Sequence, residues 1–62
     1  NDFAEIEYRL GCIYFKLNDI ENGEFHLKNA LKVDYEYQHI IKELFPNIFK
    51  KEIVKDILKN FK

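Results

Sequence analysis

The chain has 62 residues, of which 47% are hydrophobic and 16% aromatic, and its 10 basic and 11 acidic residues give a net charge of −1. This length allows one small domain, and the balanced charge argues against a polybasic nucleic-acid binder. The chain contains no Ser or Thr, which excludes serine- and threonine-type nucleophilic catalysis. With only 2 Gly and 1 Pro, the composition predicts an ordered, helical chain.

The first predicted helix begins at Asp2, where Glu5 completes a start that is similar to a capping box. At about 100° per residue, Tyr8, Cys12 and Phe15 fall on one side of this helix. The residues that we expect on the core face lie on the other side: Ile6, Leu10, Ile13, Tyr14 and Leu17. A helix with two apolar faces is sandwiched between layers or lines a recognition surface.

The second predicted helix follows a very short turn at Asn18 and Asp19. Asn tolerates the left-handed conformation that ends a helix, and Asp caps the next one. The second helix ends at Val33, before a further capping residue, Asp34. Its apolar stripe contains Ile20, Gly23, Leu27, Ala30 and Leu31.

Two more helices are predicted in the remainder of the chain. Pro46 ends the third, because the residue before a proline disfavours the α-helical conformation. The apolar positions of the third helix are Tyr37, Ile40, Ile41, Leu44 and Phe45. The fourth begins at Asn47, and its wide apolar face contains Phe49, Ile53, Val54, Ile57, Leu58 and Phe61. No segment alternates like a strand.

Eight positions in the first half follow a characteristic spacing: Leu10, Gly11, Tyr14, Gly23, Leu27, Ala30, Asp34 and Tyr35. This pattern resembles the tetratricopeptide repeat, a helix-turn-helix unit of about 34 residues. Gly11 and Gly23 allow the two helices to approach closely, and Ala30 does the same one turn later. The chain departs from the family pattern at Glu7, Gly23, Leu27 and Tyr35, where the family favours an aromatic residue, Ala, an aromatic residue and Pro.

The resemblance implies an all-α fold and a single domain over residues 1–62. Residues 4–37 form one antiparallel helix-turn-helix repeat, and residues 38–62 form a helical cap or extension with two additional helices. Because stable arrays need about three repeats, we expect either a C-terminal α-solenoid fragment of a longer array or a small self-associating unit.

The resemblance also implies a binding surface, because in this family the first helix lines the concave groove that holds extended peptides. The matching positions are Glu5, Tyr8, Arg9, Cys12, Phe15 and Lys16. Tyr8 and Phe15 are predicted as apolar anchors, and Arg9 and Lys16 as contacts to acidic or backbone groups. The alternative is that Tyr8, Cys12 and Phe15 pack against a preceding repeat.

The function that follows is a protein-interaction scaffold that binds a partner peptide or helix, without enzymatic activity or a cofactor. The alternative is structural self-association as a homo-oligomer, with no separate ligand groove. Residues 38–62 carry six Lys and three acidic residues, for +3, whereas residues 1–37 carry four basic and eight acidic residues, for −4. The basic fourth helix therefore either lies on an anionic membrane or a target protein or, as we favour, folds onto the acidic half.

The remaining titratable residues predict no metal or catalytic site. His26 and His39 lie on different helices and are expected at the surface. Cys12, the only cysteine, is either a thiol activated by Arg9 and Lys16 or, as we favour, a small packed residue. Glu7 is expected to be an exposed or paired carboxylate rather than a buried base. The lone cysteine and the absence of a signal-peptide pattern favour a cytoplasmic location over secretion.

Overall fold

The computed structural model describes residues 2–61, and these residues are all-α, as predicted. They contain no β-strand. The elements in chain order are α1 (Asp2–Lys16), α2 (Ile20–Val33), a 3₁₀ helix (Tyr35–Gln38), α3 (His39–Leu44), α4 (Pro46–Phe49) and α5 (Glu52–Asn60). Helices α1 and α2 form an antiparallel hairpin, and the shorter elements pack on it.

The turn between α1 and α2 has the predicted conformation. Asn18 is in the left-handed region with a φ of 63°, which ends α1. The Asp19 side chain caps α2, because its Oδ1 accepts a hydrogen bond from the backbone N–H of Asn22 at 3.2 Å. The backbone N–H of Asp19 donates to the carbonyl of Tyr14 at 2.9 Å. These local bonds fix the point at which the chain reverses.

The two helices touch at the predicted glycines. A Cβ atom at Gly11 would lie 3.0 Å from the backbone nitrogen of Leu27 and 3.2 Å from the carbonyl oxygen of Gly23. A Cβ atom at Gly23 would lie 2.9 Å from the ring of Phe15, which is itself fully buried. The prediction that small residues allow close approach of the two helices is therefore confirmed.

The second half of the chain differs from the predicted third and fourth helices. The third begins as a 3₁₀ helix and becomes α-helical only at His39. Pro46 separates it from α4, at whose first position the missing N–H of proline is tolerated. The predicted fourth helix is broken, because Lys51 is extended, with φ −67° and ψ 136°, between α4 and α5.

The break at Lys51 has a packing reason. Ile48 in α4 is buried, and a continuous helix would place Lys51, Glu52 and Lys55 on its face, three, four and seven residues later. The extended residue changes the direction of the chain. Helix α5 then buries a different apolar group, Val54, Ile57 and Leu58.

The core lies between one face of the α1–α2 hairpin and the segments that follow it. Helix α1 contacts α3 and α4, whereas α2 contacts α5, and the ring of Phe61 stacks on that of Tyr35. The buried apolar residues are Ala4, Tyr8, Cys12, Phe15, Leu27, Ala30, Leu31, Ile40, Ile41, Ile48, Val54, Ile57 and Leu58. The basic C-terminal segment thus packs on the acidic half, as we favoured.

The core face of α1 is the side that carries Tyr8, Cys12 and Phe15, not the predicted one. Ile6, Ile13 and Leu17 are 54%, 43% and 69% exposed, and Leu10 is half-buried. The prediction that these residues form the core face is wrong. The C-terminal elements cover the opposite side of α1, so the hairpin presents the predicted core face to solvent.

Candidate interaction surface

The six predicted groove residues differ in solvent exposure: three are buried and three keep exposed surface. Tyr8 and Phe15 are fully buried, and Cys12 is 2% exposed. The prediction that these three line an exposed groove is wrong, because the chain's own C-terminal elements occupy that side of α1. Packing against a preceding repeat is not required to bury them either. Glu5, Arg9 and Lys16 keep exposed surface at the edge of α1.

Tyr8 is a structural residue that joins α1 to the end of α2. Its hydroxyl donates to the carbonyl oxygen of Asp34 at 2.6 Å and approaches that of Tyr35 at 3.3 Å. Its ring lies 6.2 Å from that of Tyr37 in a tilted arrangement. Burial raises the pKa of the Tyr8 phenol, and the nearby Asp34 raises it further. The side chain therefore stays protonated and serves as a hydrogen-bond donor.

Cys12 is a small packed residue rather than an activated thiol. Burial raises the pKa of its thiol to about 12. Because the thiolate is the reactive form, burial suppresses nucleophilic chemistry at this position. Arg9 and Lys16 do not offset the burial, since both side chains project into solvent at the edge of the helix.

Glu5 and Arg9 form a polar cluster at the edge of α1. The Arg9 guanidinium pairs with a carboxylate oxygen of Glu5 at 2.9 Å, and the Tyr37 hydroxyl donates to the other at 3.0 Å. The hydrogen bond from Tyr37, followed by that from Arg9, holds the pKa of Glu5 below its ordinary value. Lys16, at the other end of the helix, lines a shallow concavity with Leu44 and Ile48.

A different surface emerges on the solvent side of α1. The outer stripe, defined here as Ile6, Leu10, Ile13 and Leu17, follows spacings of four, three and four residues. This is the repeat of a seam that packs against another helix. Phe3, 54% exposed, lies three residues before Ile6 and continues the same period. The spacing is visible in the sequence, where it predicts a core face rather than a binding surface.

The apolar surface extends from the outer stripe onto α2. Tyr14 stacks on His26 with ring centroids 5.3 Å apart, and Phe25 meets His26 edge-on at 5.2 Å. Phe25 is exposed, as is Val33 near the end of α2. An exposed apolar surface that continues across two helices is typical of an interaction site rather than of scattered surface residues.

Glu7 is buried beside this surface. Its Oε1 lies 3.0 Å from Nδ1 of His26 and accepts a hydrogen bond from Nδ2 of Asn29 at 3.2 Å. The carboxylate is paired, as expected, but the expectation that it is not buried is wrong, because Glu7 is 7% exposed. The partners come from α2 rather than from a Lys or Arg on α1. His39 is exposed, as predicted, whereas His26 is half-buried against Glu7, so the prediction of a surface position is wrong for His26.

The described residues contain neither a metal-binding group nor a membrane-spanning helix. Within residues 2–61, no three His, Cys, Asp or Glu side chains are grouped so that they could bind a metal ion. Among the same residues, every helix is too short or too polar to cross a bilayer. No protein-family model, curated protein or solved structure matches the chain.

Proposed function

We propose that this chain is a helical protein-interaction module, which binds a partner helix through the outer stripe of α1. The observation that carries the proposal is the exposure of Ile6, Ile13 and Leu17, which with the half-buried Leu10 follow spacings of four, three and four residues. Knobs at this spacing fit the holes of a facing helix better than an extended peptide, whose side chains alternate with a period of two.

We further propose that the hairpin is a tetratricopeptide-type repeat with a C-terminal extension. The short distance between Gly11 and Leu27, and the contact between Gly23 and Phe15, support this assignment. The proposal departs from the family in one respect. The side of α1 that matches the peptide groove is covered by α3 and α4, so the binding surface is the opposite side.

The choice of the outer stripe follows from the energetics of exposed apolar groups. Each large aliphatic side chain left in water forgoes about 1.5–3 kcal/mol relative to full burial. In a small domain with a thin margin of stability, a row of such residues is unfavourable unless a partner covers it. A facing helix buries the whole row at once.

The experiment is a selection of α-helical peptides from a display library against the immobilised chain, followed by affinity measurement in solution. The test variant carries Ile6→Glu and Ile13→Glu, which place charges in the outer stripe. The matched control carries Leu44→Glu and Ile53→Glu, which alter two exposed apolar residues elsewhere. Circular dichroism verifies that both variants remain helical.

We expect selected peptides to bind the wild type and the control alike. The test variant should lose at least about tenfold in affinity, because two buried contacts become charged. Equal binding to both variants contradicts the proposal, as does a library that yields no binder.

A further inference from the structure

We infer that the partner helix is α1 of a second copy of this chain, packed antiparallel along the outer stripe. This inference rests on the proposed function, because it names the occupant of the same surface. The supporting observation is the arrangement of the charges beside the outer stripe. These charges make the surface complementary to a second copy of itself in one orientation only.

The charged border of the outer stripe changes sign along the helix. At about 100° per residue, Asp2, Glu5, Arg9 and Lys16 all fall on one side of it. Asp2 and Glu5 lie in the N-terminal half of α1, Arg9 lies at its midpoint, and Lys16 lies at its C-terminal end. Glu5 and Arg9 pair with each other at 2.9 Å. Neither Asp2 nor Lys16 pairs with another charged side chain within residues 2–61.

An antiparallel second copy satisfies both of these end charges. With the twofold axis near Arg9, Asp2 of each copy lies beside Lys16 of the other, so two symmetric ion pairs form. Arg9 approaches its own equivalent at the axis, where the pairing with Glu5 neutralises it. A parallel twofold arrangement instead places this charged border of each copy along the opposite border of the other, so Asp2 and Lys16 do not meet. The antiparallel orientation, which brings these opposite charges together, is therefore selected.

The central part of the outer stripe fits the same symmetry, because an axis near Arg9 places Ile6, Leu10 and Ile13 level with residues 12, 8 and 5 of the other copy. A twofold interface requires one patch that complements itself, and a row of aliphatic side chains with alternating three- and four-residue spacing does so in antiparallel packing. The opposite border of the stripe includes the uncharged ring of Tyr14, which stacks on His26 of α2. The net charge of −1 imposes little repulsion between two copies.

The test is sedimentation equilibrium of the chain from low micromolar concentration to about 1 mM, a range that covers weak and moderate association. We expect a monomer–dimer equilibrium in the wild type and in the Leu44→Glu/Ile53→Glu control. The Ile6→Glu/Ile13→Glu variant should remain monomeric. A wild type that is monomeric throughout, or a stripe variant that dimerises equally well, overturns the inference.

Charge reversal tests the orientation. Asp2→Lys alone and Lys16→Glu alone should each weaken the dimer by about tenfold, because two symmetric attractions become repulsions. The double variant should recover most of the wild-type affinity, since the pairs re-form with opposite sign. Failure of the double variant to recover overturns the antiparallel arrangement. Far-UV circular dichroism of each variant verifies that α1 is still helical.

The peptide selection described above separates the two proposals. A monomeric chain whose selected peptides still require Ile6 and Ile13 contradicts only the second-copy inference. A monomeric chain with no stripe-dependent binder contradicts the proposed function as well. A dimer that the stripe variant abolishes supports both.

Discussion

The hydroxyl of Tyr8 in α1 donates a hydrogen bond to the main-chain carbonyl oxygen of Asp34 at 2.6 Å. Asp34 stands just beyond the end of α2, and its own N–H bonds back to Ala30 while its side chain accepts from the N–H of Tyr37. The bond from Tyr8 therefore joins the start of the hairpin to the point at which the chain enters the 3₁₀ helix. It holds together the two halves of the molecule.

Removing this hydroxyl should cost stability with little change in shape. We expect Tyr8→Phe to lower the free energy of unfolding by about 1–2 kcal/mol, because the carbonyl of Asp34 loses its donor in a partly buried site. Urea denaturation followed by circular dichroism measures the loss. Tyr14→Phe is the control, since the Tyr14 ring stacks on His26 and no hydrogen bond of its hydroxyl is found within residues 2–61. Equal effects of the two changes would contradict the role of Tyr8.

Both hairpin glycines should resist replacement by alanine. At Gly11 the added methyl meets backbone atoms of Leu27 and Gly23 at 3.0 and 3.2 Å, so the helices must separate. We expect Gly11→Ala to destabilise the chain by about 1–2 kcal/mol, even though alanine favours helix formation by about 1 kcal/mol. Gly23→Ala should also destabilise, because Phe15 is fully buried and cannot move aside. Thermal unfolding checks both; a rise in melting temperature for either would refute the close-packing argument.

The buried thiol of Cys12 predicts a loss of stability at alkaline pH. Its pKa rises from an ordinary 9.0 to about 12 in the folded chain. The folded state therefore binds the proton more tightly, and the associated stability is complete below pH 9 and falls as the pH rises towards 12. The raised pKa of Tyr8 acts in the same direction, but only above its ordinary value of 10.0.

Cys12→Ala should remove this pH dependence between pH 8 and 10. We expect the free energy of unfolding of the wild type, measured in urea under reducing conditions, to decline more steeply over that interval than that of the variant. The variant loses some packing, but that loss is independent of pH. Parallel profiles for the two proteins would show that burial of the thiol does not control its ionisation.

Glu7 should contribute more to the stability of the fold than any exposed glutamate of the hairpin. We expect Glu7→Ala to destabilise by about 1–3 kcal/mol, because His26 and Asn29 lose the carboxylate that both contact in a buried site. The matched control is Glu24→Ala, which removes an exposed pair with Lys28 and should change stability by less than about 0.5 kcal/mol. Chemical denaturation compares the two, and a larger loss for Glu24→Ala would contradict the burial argument.

Local chemistry determined the hairpin, and the sequence was sufficient to predict it. The turn is set by local features: the left-handed conformation of Asn18, and the hydrogen bonds that the Asp19 and Asp34 side chains accept from N–H groups three residues later. The two glycines allow close packing because they have no side chain. Such signals do not depend on the rest of the fold. The break at Lys51 was missed because no local breaker marks it; it follows from which apolar residues reach the core.

Only the tertiary structure decided which side of α1 faces the solvent. Helix α1 has two apolar faces with the same helical period, so periodicity alone does not indicate which face is buried. One face contains Ile6, Leu10, Ile13 and Leu17, and the other contains Tyr8, Cys12 and Phe15. Helices α3 and α4 cover the second group and leave the first exposed. The sequence by itself determined that α1 has two apolar faces; which one is available for binding depends on contacts between residues far apart in the chain.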